Sequence, residues 1–149
     1  MSTPVRSTSA VLLIGMALLA AAITPSQGEG GEADDFVGGW ITWMEPAGGE
    51  RPVCRRLHVS AGSGAVRHGG WNAPGWNGLA AGEVVRGRDG RPVWQGEWRD
   101  GRLAGSFRLG MADADALAGT FTAPGTDAPR PVHGRRDTGQ DRPDVPCAF

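Results

Sequence analysis

Along most of the chain large residues alternate with other residues around a glycine, in units of large, any, Gly, any, large. Trp94, Gly96 and Trp98 form the clearest unit. The others are Phe36, Gly38, Trp40; Arg67, Gly69, Trp71; Ala80, Gly82, Val84; Leu103, Gly105, Phe107; Leu117, Gly119, Phe121; and Val132, Gly134, Arg136. A spacing of two puts the three marked residues of a unit on one side of a β-strand. The pattern predicts strands over about 36–43, 53–59, 65–71, 78–85, 92–98, 102–109, 116–122 and 131–136. The second of these lacks the glycine but alternates Val53, Leu57 and Val59 against Cys54, Arg56 and His58. No stretch beyond the first 26 residues sustains a 3.6-residue period, so little helix is expected there.

Turn chemistry punctuates the strands. Asp89-Gly90 and Asp100-Gly101 suit tight hairpins, and Pro46, Pro74, Pro124 and Pro129 mark looser loops. Short strands joined by short hairpins favour pairing between neighbours, and closing the sheet removes its edges. The expected fold is all-β: an eight-stranded antiparallel up-and-down β-barrel over residues 36–136. Its interior is expected to hold Trp40, Trp71, Trp94, Trp98, Leu103, Phe107, Leu117, Phe121 and Val132. The other face carries His68, Glu83, Gln95, Glu97, Ser106, Thr120, His133 and Arg135, the reverse of the apolar outer face of a membrane barrel. The strand glycines have two readings: they let strands coil under a neighbouring ring in a filled core, or they leave room for a ligand.

The flanking segments differ from the barrel. Arg6 and a fourteen-residue apolar run, Ala10 to Ile23, make residues 1–26 a signal peptide too short to span a bilayer, which places the protein in a secreted or periplasmic location. Residues 27–35 are acidic and Gly-rich and are expected to form a disordered lead-in, and 137–149 a polar, Pro-containing tail. Two cysteines, Cys54 and Cys147, suit one disulfide in an oxidising compartment, with Cys54 on the solvent side of its strand where the tail can reach it. A net charge of -1, with scattered arginines, offers no basic stripe for nucleic acid.

Candidate chemistry is sparse. His58, His68 and His133 fall on outward positions, Asp113 and Asp115 lack the rest of a calcium loop, and Glu83 and Glu97 lack the burial of a catalytic pair. These features predict no enzyme, metal or cofactor. Aromatic residues are the better signal. Alternating strand direction brings Trp71, Trp98 and Phe121 to one mouth, together with Trp43 and Trp76 from its loops. Exposed aromatic clusters mark binding sites, so these five are the candidate site for a small apolar or sugar-like ligand; the competing role is a lid on the core. Arg99 and Arg102 flank the same mouth, either as solvated hairpin residues or as an anchor for an anionic group.

Gly38, Trp40 and Arg136 resemble the ends of calycin barrels, the lipocalin and avidin-like group, whose opening Gly-x-Trp strand meets a basic residue of the last strand. The resemblance covers 36–136 and implies an Arg136-on-Trp40 contact that closes the barrel; it carries over no lipid cavity and no biotin site. Gly38, Trp40, Cys54 and Leu57 also look like the small periplasmic metalloprotease inhibitors, which have one disulfide and act through an extended N-terminal segment. On that resemblance residues 27–35 would engage a protease. A structural envelope protein with no ligand is the remaining alternative.

Overall fold

The computed structural model describes residues 29–45, 52–73, 76–123, 125 and 128–139; the signal segment and most of the tail lie outside this set. Eight strands follow one short helix: α1 (Glu29–Asp34), β1 (Gly38–Met44), β2 (Arg55–Ala61), β3 (Val66–Ala73), β4 (Trp76–Arg86), β5 (Pro92–Asp100), β6 (Leu103–Asp113), β7 (Ala116–Thr122) and β8 (Arg130–Arg136). Each strand pairs antiparallel with the next, and β8 returns to β1, so the sheet is a closed up-and-down barrel. Every expected strand is present. The largest extensions are at β4 and β6, each of eleven residues. β6 runs on through a register shift between Met111 and Asp113.

The period-two pattern sorts residues between core and water as physical chemistry requires. Trp40, Leu57, Val59, Trp71, Ala80, Trp94, Phe107, Leu109, Leu117, Phe121 and Val132 form one buried cluster. Glu83, Glu97, Arg108 and His68 point the other way and are exposed. Leu103 departs from expectation: it is 59% exposed, because it lies at the β5–β6 turn beyond the last layer of core side chains. Turn glycines behave as their neighbours suggest, with Gly90 at φ 79° and Gly101 at φ 56°, conformations other residues adopt at a cost.

The strand glycines belong to the filled-core reading. Gly82 and Gly96 face each other across β4 and β5, and a Cβ on either would stand 2.1 Å from a backbone carbonyl oxygen of the adjacent strand. Only a side-chain-free pair lets the two backbones approach this closely and the sheet coil sharply. At Gly69 a Cβ would sit 2.7 Å from Cη2 of Trp94, so that ring reaches across the interior and rests on the bare backbone of β3. A Cβ on Gly119 would likewise collide with the Arg108 carbonyl oxygen. Of the two readings of the strand glycines, the filled one holds at Gly69, Gly96 and Gly119, where rings and backbone already occupy the space.

One end of the barrel is stoppered by the chain that enters it. Residues 27–35, expected to lack order, include α1, whose Ala33 is buried, and Phe36 follows with no exposed surface. Its ring packs 6.4 Å from that of Trp94, and its carbonyl accepts a 2.8 Å hydrogen bond from Trp40 Nε1. The sequence EGGEAD has little intrinsic helix preference, so contacts with the barrel must supply the order. Arg67, 2% exposed, donates through Nε to Ala33 O, through Nη1 to Gly64 O and Val66 O, and through Nη2 to Asp34 Oδ1 at 2.9 Å. One guanidinium thus satisfies its own buried donors while tying α1 to β3. Arg136 donates to the carbonyls of Val37 and Asp35 and lies over the Trp40 ring, fastening the same segment to β8.

Candidate functional site

Among the described residues the opposite end is open. There the β1–β2 and β7–β8 loops are long, while the other end has short turns and α1. A cavity of about 310 Å³ enters at this mouth, walled by Thr42, Met44, Val53, Trp71, Trp98, Phe121 and Val132 among others. Strand alternation explains the lining. Thr42, Met44, Trp71, Trp98, Phe121 and Val132 all occupy inward positions near the mouth ends of their strands.

The rings brace one another. Trp71 meets Phe121 edge-on at 5.3 Å between centroids, and Trp98 meets Phe121 at 6.2 Å and 81°. Edge-to-face pairs of this kind are favoured by the ring quadrupoles and hold the wall in place. Trp98 is half-buried, its indole lying over Gly105, where a Cβ would come within 2.7 Å of Nε1.

The indole and hydroxyl groups of this wall are already paired. Trp71 Nε1 donates to Thr42 Oγ1 at 3.1 Å, and Thr42 Oγ1 donates in turn to the Arg55 carbonyl at 3.2 Å. Trp98 Nε1 donates to the Thr122 carbonyl at 3.2 Å. An indole N–H has one proton to give, so neither tryptophan keeps a donor for a guest. Both tryptophans consequently present apolar surface to the cavity.

Of the five aromatic residues expected at the mouth, Trp43, Trp71, Trp98 and Phe121 line the cavity. The Trp76 side chain lies outside the described residues; its backbone opens β4 opposite Ala73 at this same end. Trp43 does not share the inner face. It alternates with Thr42, stands opposite His133 in the β1–β8 register and stacks on that imidazole at 5.8 Å, so it forms part of the rim. His133 Nε2 also meets Glu45 Oε1 at 3.1 Å. Trp94 and Phe107 pack together at 4.6 Å in the buried core toward the stoppered end.

Reading of the sequence missed the arginines of the mouth. Arg55 and Arg130 line it beside the expected Arg99, whereas Arg102 does not. The signal was available in the alternation: Arg55 precedes Leu57 by two positions and Arg130 precedes Val132 by two. Cys54 also differs from expectation, being buried at 4% exposure although it takes the outward parity of β2. No cysteine is free among the described residues, and Cys147 lies outside them.

The remaining candidates do not come together. His58 and His68 are exposed on the outer face, and Glu83 and Glu97 are exposed on β4 and β5. Asp113 Oδ1 accepts the Asp115 backbone N–H at 2.8 Å, which spends that carboxylate on its own turn. Among the described residues no three His, Cys, Asp or Glu side chains are grouped to hold a metal ion, and no helix is long and apolar enough to cross a membrane.

The described residues define a small closed antiparallel barrel, stoppered at one end and holding an aromatic cavity at the other. Among solved structures the chain is similar to a redesigned β-barrel, at 11% sequence identity and a TM-score of 0.59, over 71% of this chain and 95% of that one. At that identity the likeness concerns the fold. No protein-family model matches the chain, and no curated protein matches it.

Proposed function

We propose that this is an exported binding protein whose open mouth holds a small apolar ligand against Trp71, Trp98 and Phe121, with Trp43 and Trp76 at its rim. The observation that carries the reading is the internal pairing of the Trp71 and Trp98 indoles and the Thr42 hydroxyl around a cavity of about 310 Å³ walled by their rings and Phe121. A sugar needs donors and acceptors matched to its hydroxyls, and leaving those groups unpaired costs about 1–3 kcal/mol each. The apolar choice is thereby favoured over the sugar-like one. The volume sits at the lower end of the range of about 300–1,000 Å³ found for small-molecule sites.

Binding without catalysis is the natural chemistry of such a wall. Thr42 carries the hydroxyl of the described lining, and it is engaged on both sides. The inhibitor alternative would use residues 27–35 as an extended segment inserted in a protease. Against it stand the helical form of residues 29–34 and the burial of Ala33 and Phe36, which would have to be undone first. Export and a Cys54–Cys147 disulfide belong to the same proposal. The burial of Cys54, the absence of a free cysteine among the described residues and the presence of one other cysteine in the chain support the pairing.

Titration of the mature protein with a panel of apolar compounds, followed by tryptophan fluorescence and thermal shift, tests the ligand. The informative variants are Trp76→Ala and Trp94→Ala. A binding mouth predicts that Trp76→Ala removes the response at little cost in stability, whereas Trp94→Ala loses about 3–5 kcal/mol as a core truncation. Equal destabilisation by both would make Trp76 a lid on the core, and a flat response to the whole panel would leave a structural protein.

A further inference from the structure

The Thr42 hydroxyl is bonded on both sides, and its oxygen still has a lone pair. A hydroxyl can donate once and accept twice. Because an indole nitrogen only donates, the bond from Trp71 Nε1 at 3.1 Å fills one acceptor position of Oγ1, and the Thr42 proton goes to the Arg55 carbonyl at 3.2 Å. Among the described residues nothing donates to the second acceptor position. Packing fixes the side chain in this setting. Its methyl, Cγ2, lies on the β8 side, 3.2 Å from where a Cβ on Gly134 would stand, so Oγ1 is left on the β2 and β3 side at the edge of the Trp71 ring. Thr42 lines the cavity yet is only 5% exposed, so a donor arriving on a guest meets little competition from bulk water.

The same wall withholds donors. Trp71 Nε1 and Trp98 Nε1 each have one proton, and both are committed, as is that of Thr42. A guest group that accepts finds no free donor among these three residues, whereas a group that donates finds Thr42. Unpaired buried polar groups are destabilising, so the wall selects against a ketone, ether or ester lying along the rings. Shape narrows the guest further. Rings set edge-to-face at 5.3 and 6.2 Å wall a cavity of about 310 Å³, which suits a flat fused-ring body better than a long flexible chain. A pyrrole-type N–H meets both demands, because it donates one hydrogen bond and its nitrogen lone pair belongs to the ring.

We infer that the ligand of this mouth is a flat fused aromatic whose one polar group is an indole-type N–H, donated to Oγ1 of Thr42. The inference rests on the reading of the mouth as a ligand site and adds the polarity, orientation and shape of the guest.

Three compounds of nearly one shape separate the outcomes: indole, indene and 1-methylindole, each titrated calorimetrically into the mature full chain. Indene replaces the N–H by carbon and 1-methylindole blocks it, and both are more hydrophobic than indole. A wall with no acceptor therefore binds indole least tightly of the three. A free Thr42 lone pair reverses that order, placing indole about two- to tenfold above the other two. Thr42→Val should erase the lead of indole over indene, and Thr42→Ser, which keeps the oxygen, should retain it. The order in the parent chain decides the donor assignment even where the valine variant does not fold. Indene or 1-methylindole binding as tightly as indole overturns the inference and leaves the apolar mouth standing. A lead for indole that survives in Thr42→Val overturns the assignment to Thr42. Binding of none of the three overturns the mouth itself and the inference with it.

Discussion

The Arg136 guanidinium carbon lies 3.9 Å from the centroid of the Trp40 ring, and the two residues are direct partners in the register that joins the last strand to the first. This contact does more than close the sheet. Arg136 also donates to the Val37 carbonyl at 2.9 Å and to that of Asp35, while Trp40 Nε1 holds Phe36. Barrel closure and attachment of the stopper are therefore one arrangement. Arg136→Met keeps the apolar stem and removes the cation and its donors; the expected loss is about 1–3 kcal/mol in urea unfolding. Arg136→Lys should recover only part of it, because an ammonium cannot reproduce the fork. Parent-like stability of the Met variant would show that the contact contributes nothing.

The glycines predict a contrast within one residue type. A Cβ at Gly82 would stand 2.1 Å from the Gln95 carbonyl oxygen, whereas at Gly110 the nearest atom is 3.8 Å away. Gly82→Ala should destabilise by about 1–3 kcal/mol or more, since backbone must move. Gly110→Ala should be neutral or stabilising by up to about 1 kcal/mol, through lost freedom of the unfolded chain. Thermal unfolding of the two variants side by side reads the difference.

The stopper should behave as part of the core. Phe36 has no exposed surface, so Phe36→Ala is expected to cost about 3–5 kcal/mol. Removing residues through Asp35 should also destabilise, because Arg67 would lose Ala33 O and Asp34 while remaining at a largely buried site. By contrast, Arg86→Ala should change little: its ion pair with Glu32 at 2.6 Å is solvent-exposed on both sides. Chemical denaturation of these three forms checks the ranking.

A Cys54–Cys147 bridge would close a loop of more than ninety residues, worth about 4–5 kcal/mol on chain-entropy grounds before any native strain is subtracted. Protein isolated from its native host under thiol-trapping conditions should carry no free thiol. Reduction or Cys147→Ser should lower the melting temperature. Mass spectrometry of the same material should find the chain beginning after residues 22 to 26 if the apolar leader is removed on export; intact Met1 would count against export.

What the sequence determined by itself is whatever depends on local spacing. A period of two with large residues on one side specifies a strand and its inner face, and Asp-Gly pairs specify where it turns; both are decided within a few residues, which is why all eight strands and most of the core were legible. The placement of Trp71, Trp98 and Phe121 at one mouth follows from the same alternation. Tertiary structure decided what depends on atoms far apart in the chain. EGGEAD becomes a helix because Arg67, thirty-four residues on, binds Ala33 and Asp34. Gly69 has its meaning from Trp94 across the barrel, and Gly82 from the backbone of β5, so no reading of a single strand could choose between empty and filled space. Trp43 leaves the inner face by its alternation with Thr42, and what tertiary structure adds is the His133 imidazole across the seam on which it stacks. Arg55, Arg99 and Arg130 likewise come to one cavity only once three separated strands are wound to the same end of the barrel.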